Sequence, residues 1–161
     1  MHIDIRKIKP IDNRELAVII RQTLKEFKAD KPGTVYFDES TDHLSDLFQH
    51  EKSVYYVIFL DGKMLGGAGV YPTEGLPPDT IELVKMYLRP GARGLGLGKM
   101  LILKCMETAR EMGFTNIYLE TMAELKKAVD VYLKLGFEQL DAPLGNSGHH
   151  SCEIWMRKAL I

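Results

Sequence analysis

The chain has 161 residues, a formal net charge of −1, 45% hydrophobic and 27% charged residues. These values fit one folded domain with a sizeable core and argue against a disordered, collagen-like or generally nucleic-acid-binding chain. The longest apolar run, residues 54–60, is too short for a membrane span, and the start "MHIDIRKIKP" has no signal-peptide pattern, so a cytoplasmic protein without membrane or nucleic-acid partners is expected.

In chain order, "IDIRKI" alternates apolar and polar residues and predicts a first strand. Asp12 followed by Glu15 reads as a capping box for the helix "NRELAVIIRQTLKEF". A polar stretch then leads to a second helical segment, "TDHLSDLFQH". "SVYYVIFL" is rich in β-branched and aromatic residues, and Asp61-Gly62 turns it back into "MLGGAGVYP". After the loop "PTEGLPPD", "TIELVKMYL" is a further strand whose alternation slips at Val84 and Lys85, which predicts a bulge there. A glycine-rich segment opens the next helix, whose Leu97, Leu101, Cys105, Ala109 and Met112 share one face, and Gly113 ends it. "NIYLET" is a strand, "LKKAVDVYLKL" a helix stopped by Gly136, and "FEQL" and "CEIWMRKAL" are strands on either side of "DAPLGNSGHH". The summed order β-α-α-β-β-β-α-β-α-β-β predicts an α/β (α+β) architecture in one domain over residues 1–161, a mixed sheet flanked by helices.

Two cysteines, Cys105 and Cys152, read as buried thiols or, alternatively, as a disulfide pair. The five histidines show no two-plus-two zinc spacing, and no metal is expected.

"RPGARGLGLGKML" puts four of the chain's 14 glycines into eight residues at a strand-to-helix junction. Free N–H groups and the positive dipole end make a helix start an anion site, provided no side chain blocks the approach. Gly94, Gly96 and Gly98 remove side chains, and Arg93 supplies a cation that can donate two hydrogen bonds to phosphate oxygens. A P-loop fails at both ends, with Arg93 in place of the first glycine and Met100 in place of Ser or Thr. A dinucleotide fingerprint meets Lys99 or Leu101 where its third glycine should stand. A plain structural turn is the alternative, although one glycine would suffice for it.

Arg93, Gly96 and Gly98 do fit R-x-x-G-x-G, which resembles the pyrophosphate-gripping motif of the GNAT superfamily of N-acetyltransferases. "AVDVYLKLGF", from Ala128 to Phe137, is similar to that family's A-x-x-x-Y-x-x-x-G-F signature, and the element order agrees from near residue 3 to residue 158. The resemblance implies a mostly antiparallel sheet of about seven strands with about four helices, splayed between "TIELVKMYL" and "NIYLET" into a cofactor cleft. Acetyl-CoA would be the co-substrate, its pantetheine arm paired with backbone at Met86, Tyr87 and Leu88. Its pyrophosphate would meet Arg93, Gly94, Leu95, Gly96, Leu97, Gly98 and Lys99. At family level a homodimer is also suggested. One departure is Leu125, where many members carry an asparagine, so a side-chain contact to the cofactor is not expected there.

Acetylating an amine requires its neutral form, hence a base, and the departing thiolate requires a proton donor. By resemblance Glu82 is the candidate general base, acting through water; its alternative reading is a surface strand glutamate or an ion-pair partner of Lys85. Tyr132 is the candidate acid beside the cofactor sulfur, or else a packed helix tyrosine. Direct transfer is expected, because Cys105 lies mid-helix and Cys152 in a strand, neither in an activating setting. The acceptor side would be lined by "KEFKADKPGTVYFDES", "PTEGLPPD" and "LGNSGHHSCEIW". His149 and His150 read as acceptor contacts or as exposed decoration, and Trp155 as core. No acidic channel for a peptide is legible, which favours a small or amino-acid-like amine over a protein N-terminus. The competing readings are a non-catalytic CoA-binding sensor and a fold-only relative that assembles with a partner.

Overall fold

A computed structural model describes residues 1–161. The strands are β1 (Ile3–Lys7), β2 (Val54–Leu60), β3 (Lys63–Tyr71), β4 (Thr80–Leu88), β5 (Asn116–Thr121), β6 (Glu138–Leu140) and β7 (Ile154–Ala159). The helices are α1 (Asn13–Glu26), the single turn α2 (Leu44–Leu47), α3 (Leu97–Glu111) and α4 (Lys126–Lys134). They follow the hydrophobic pattern closely. Asp61 and Gly62 both take positive φ, 50° and 81°, the geometry that a two-residue hairpin turn needs.

The strands form one seven-stranded sheet in the order β1-β2-β3-β4-β5-β7-β6. All neighbours are antiparallel except β4 and β5. One apolar core lies between the sheet and α3 and α4, built on Ile81, Leu101, Cys105, Ile117 and Met156. A second lies under α1, built on Leu16, Ile20, Leu24, Tyr55 and Val57. Burying such side chains stabilises by roughly 1.5–3 kcal/mol each, so both faces hold the sheet firmly.

Two features of β4 open the sheet at its middle. Its parallel ladder with β5 contains only Thr80–Asn116, Ile81–Ile117 and Glu82–Tyr118, and beyond them the strands part. Against β3, Gly67 faces Tyr87 while Gly69 faces Val84, so Lys85 and Met86 together oppose one residue. This is the bulge the sequence predicts, and Lys85 takes φ 52° within it. The glycines of β3 make it possible. A Cβ on Gly66 would lie 1.9 Å from the Tyr87 carbonyl oxygen, and one on Gly67 would lie 2.5 Å from the Tyr55 ring. Tyr55 donates a hydrogen bond from its hydroxyl to the Lys85 carbonyl at 2.8 Å.

Several local expectations are corrected. Asp12 does not cap α1: residues Pro10–Asp12 form a 3-10 turn, and Asp12 already has helical dihedrals. Its carboxylate instead accepts two bonds from Arg6, at 2.7 and 2.9 Å, and one from the Lys9 backbone N–H at 2.8 Å. "TDHLSDLFQH" yields only a 3-10 turn (Glu39–Asp42) and α2. Thr41 donates to the Val35 carbonyl, and the Asn13 side chain accepts from the Ser45 backbone N–H, so side-chain bonds take over from the helical ladder. Cys152 lies in coil before β7 rather than in a strand, and Trp155 is partly exposed rather than core. The preceding loop is instead pinned by Asn146 N–H to the Glu74 carbonyl and Ser151 N–H to the Gly33 carbonyl. Asp12→Ala is expected to cost about 1–3 kcal/mol in urea denaturation, because Arg6 and the Lys9 amide lose a buried acceptor. Glu15→Ala, which removes only an exposed ion pair with Arg89, is expected to change stability by less than about 0.5 kcal/mol.

Candidate active site

The glycine segment turns from β4 into α3 with Gly94 and Gly96 at φ 78° and 77°, and Gly96 is the residue before the first helical turn. A side chain at either position would be strained by roughly 1–2 kcal/mol. No other part of the protein lies within 4 Å of where their Cβ atoms would stand, so both face open space. Gly98 is different. A Cβ there would lie 2.8 Å from Met86 Cε, the flexible end of a side chain on β4, so a substituent would have to displace Met86 within the cleft.

The free amides at the start of α3 open into a cleft of about 430 Å³. Met86, Tyr87, Leu88, Arg93, Gly94, Gly96, Leu97, Gly98, Lys99 and Tyr132 all line it. Leu95 does not, and its side chain is exposed. Arg93 is anchored: its guanidinium pairs with Glu26, donates to the Leu88 carbonyl at 3.1 Å and lies 4.9 Å from the Phe27 ring centroid. Phe27 and Lys127 also line the cleft. Nothing in local sequence marks Phe27, which reaches the cleft beside Arg93, a residue distant in the chain.

A second cleft of about 180 Å³ lies on the other side of the sheet opening. Leu83, Lys85, Tyr87, Glu120, Thr121 and Leu125 line both, so the two form one continuous groove. The three predicted acceptor-side segments all contribute, through Thr34, Asp38 and Ser40, through Thr73, and through Ser147, His149 and Cys152.

Glu82 stands in this second cleft, 3% exposed. The surface and Lys85-partner readings are therefore set aside: Glu82 accepts from the Thr73 hydroxyl at 2.5 Å, and Lys85 pairs with Asp38 instead. Burial pushes the Glu82 carboxyl up to about 7, against the opposing pull of the Thr73 bond. Tyr132 is buried in the first cleft, edge-on to Phe137 at 5.7 Å between ring centroids. Burial raises its phenol above the ordinary value, which keeps it protonated.

Around Glu82 the side chains are mutually satisfied. Glu120 accepts from the Tyr118 hydroxyl at 2.6 Å and from Ser147. His149 bonds Asp38 at 2.6 Å, whereas His150 is exposed over Gly33. Burial alone would raise the Asp38 carboxyl, but the His149 bond and the Lys85 charge outweigh it and hold it low. Both cysteines are free, and burial pushes each thiol up to about 12. Neither is a ready nucleophile. No group of three His, Cys, Asp or Glu side chains is placed to hold a metal ion.

An anion-ready helix start on a splayed mixed sheet is the arrangement the sequence resemblance implied, and the pattern of the acetyltransferase (GNAT) family matches residues 20–137. The chain belongs to the GNAT family. An uncharacterized N-acetyltransferase of Escherichia coli, YjgM, is 43% identical over 158 residues, 97% of this chain and 94% of that protein. One from Schizosaccharomyces pombe is 27% identical over 142 residues, 85% of this chain and 83% of that protein. The fold matches a GNAT-family acetyltransferase of Staphylococcus aureus with TM-score 0.84 at 20% identity, covering 99% of this chain and 100% of the other. It also matches PaiA N-acetyltransferase of Thermoplasma acidophilum in complex with coenzyme A, with TM-score 0.77 at 20% identity and 99% coverage of both chains. The protein is thus a GNAT acyltransferase, and no helix is long and apolar enough to cross a membrane.

For this GNAT chain the buried Glu82 has a measurable consequence for stability. Its carboxyl keeps a proton up to about 7 when folded but loses it near 4.5 when unfolded, so its contribution to stability falls as pH rises between those values. Glu82→Gln is expected to be more stable than the parent at pH 8, by up to roughly 3 kcal/mol, with the difference vanishing near pH 4. Urea denaturation at both pH values checks this.

Proposed function

We propose that the protein transfers the acetyl group of acetyl-CoA directly to a primary amine, that of a small molecule or an amino-acid-like acceptor. Coenzyme A is present in the matched PaiA structure and in that of an aminoglycoside 6′-N-acetyltransferase, which matches with TM-score 0.71 at 17% identity. Here the open glycine turn supports the same ligand. Backbone amides from Gly94 to Lys99, Leu95 by its backbone alone, would receive the pyrophosphate beside Arg93 and Lys99. The edge of β4 at Met86, Tyr87 and Leu88, which β5 leaves unpaired, offers hydrogen bonds to the pantetheine amides. The thioester supplies an activated acetyl carbon.

The observation that carries the reading is Glu82: a carboxyl buried in the acceptor-side cleft at the last β4–β5 pair, which burial pushes up to about 7. A lysine-like amine is mostly protonated at pH 7 and cannot attack until it loses that proton. Glu82, through water, takes it. The amine nitrogen bonds to the acetyl carbon, the C–S bond breaks, Tyr132 gives its proton to the leaving thiolate, and the extra proton left on the new amide nitrogen passes through water to restore the Tyr132 phenol. The second cleft, about 180 Å³, suits a small acceptor better than a folded protein terminus.

Thiol release with a panel of amines tests this. Glu82→Gln and Tyr132→Phe are each expected to lower kcat about 10²-fold or more while acetyl-CoA still binds. In the parent protein kcat/KM should rise with pH through an inflection near 7 that Glu82→Gln abolishes. Unchanged turnover in both variants would contradict the assignment. Gly96→Val, which puts a branched side chain at φ 77°, is expected to abolish cofactor binding, and retained micromolar affinity would contradict the cradle.

A further inference from the structure

Lys85 is the one ammonium in the acceptor half of the groove, and its ion pair with Asp38 uses none of its hydrogen-bond donors. Its side chain is only 6% exposed. Its nearest anionic partner, Asp38, is 3.6 Å away, outside hydrogen-bond reach, and already bonded to His149 at 2.6 Å. Lys85 Nζ therefore brings three N–H donors to the cleft and donates none of them to the protein. It is also held there against backbone preference, at φ 52° in the β4 bulge, with its carbonyl tied to the Tyr55 hydroxyl. Asp38 offsets part of the cost of burying this ammonium, and a second anion that accepted its free N–H groups would offset more.

Among the carboxylates of the cleft, Glu120 has both oxygens taken, by Tyr118 and Ser147. Asp38 meets His149 and Lys85 through Oδ2 alone, and Glu82 accepts from Thr73 through one oxygen, so each keeps one oxygen without a hydrogen bond. The cleft thus pairs a carboxyl able to meet an amine, Glu82, with an ammonium three residues along the same strand able to meet an anion. Its volume of about 180 Å³ corresponds to roughly six waters, enough for a small molecule carrying both groups close together.

We propose that Lys85 recognises a carboxylate on the acceptor, so that the enzyme acetylates amino acids or short amino-carboxylates rather than simple amines or polyamines. This deepens the acetyl-transfer reading and rests on it. Burial lowers the Lys85 pKa, and a bound carboxylate would supply the charge that favours its protonated form.

The test is thiol release at saturating acetyl-CoA with the common amino acids, their primary amides, the matching decarboxylated amines, and spermidine. The parent protein should prefer its best amino acid over the corresponding amide by about 10²-fold in kcat/KM. In Lys85→Met that preference should collapse towards one, chiefly through KM for the amino acid, with desulfo-CoA affinity retained. Should Lys85→Met not fold, product inhibition of the parent reports the same contact: N-acetyl amino acids should inhibit more tightly than their amides. Equal or better turnover of amides, decarboxylated amines or spermidine by the parent overturns the inference. So does a Lys85→Met defect of the same size for acid and amide, which would mean that Lys85 only holds Asp38. Absence of thiol release with every amine, despite CoA binding, removes the acetyl-transfer reading and this inference together.

Discussion

Beyond the Glu82–Tyr118 pair, β4 and β5 no longer share hydrogen bonds, and a sheet that is otherwise continuous opens across its middle. Unpaired backbone groups in a protein interior are costly, so such an opening persists only if the surroundings enforce it. They do so from both sides. The bulge at Lys85 turns the strand aside, the glycines of β3 make room for it, and the Tyr55 hydroxyl fixes the bulge carbonyl. The strain of such a residue is on the order of 1–3 kcal/mol, small beside the apolar cores that clamp the sheet above and below. The result is a groove with one free strand edge, lined by the start of α3 in one half and by Glu82 in the other.

Electrostatics divides the groove into two characters. The α3 end offers free helix amides with Arg93, Lys99 and Lys127 nearby, an environment for anionic oxygens. The other end buries a carboxyl, an ammonium, and an Asp–His pair in a small space. Glu82 and Lys85 are both shifted towards neutrality by burial, in opposite directions. Two such groups beside the point where β4 and β5 part are the kind of local cost that functional sites carry and the rest of the fold offsets.

Much of this is legible in the sequence. Strands and helices emerge because apolar periodicity is strong in each, the Asp61-Gly62 hairpin because its turn chemistry is specific, and the bulge because alternation slips at Lys85. The glycine turn is readable as an anion site, but not the approach of the Met86 side chain, from another element, to Gly98. Asp12 reads as a cap from its local spacing, yet its real partner, Arg6, lies on the strand before it and competes successfully for its carboxylate. The acceptor cleft is least visible. Its defining contacts join residues far apart, such as Asp38 with His149, and no local pattern encodes which distant side chain will arrive. Family resemblance points to Glu82 at its position; its burial and altered acidity emerge only once the sheet has assembled around it.

The claim on which the rest stands is that the open sheet and the glycine turn together hold coenzyme A. The most direct measurement is calorimetric titration of the purified protein with acetyl-CoA, desulfo-CoA and ATP. Tight, one-to-one binding of both coenzyme A compounds with none for ATP is the predicted result, because the pantetheine arm needs the free edge of β4 as much as the phosphates need the helix start. Failure of either coenzyme A compound to bind, or equally tight binding of ATP, would contradict it and leave the glycine segment a structural turn.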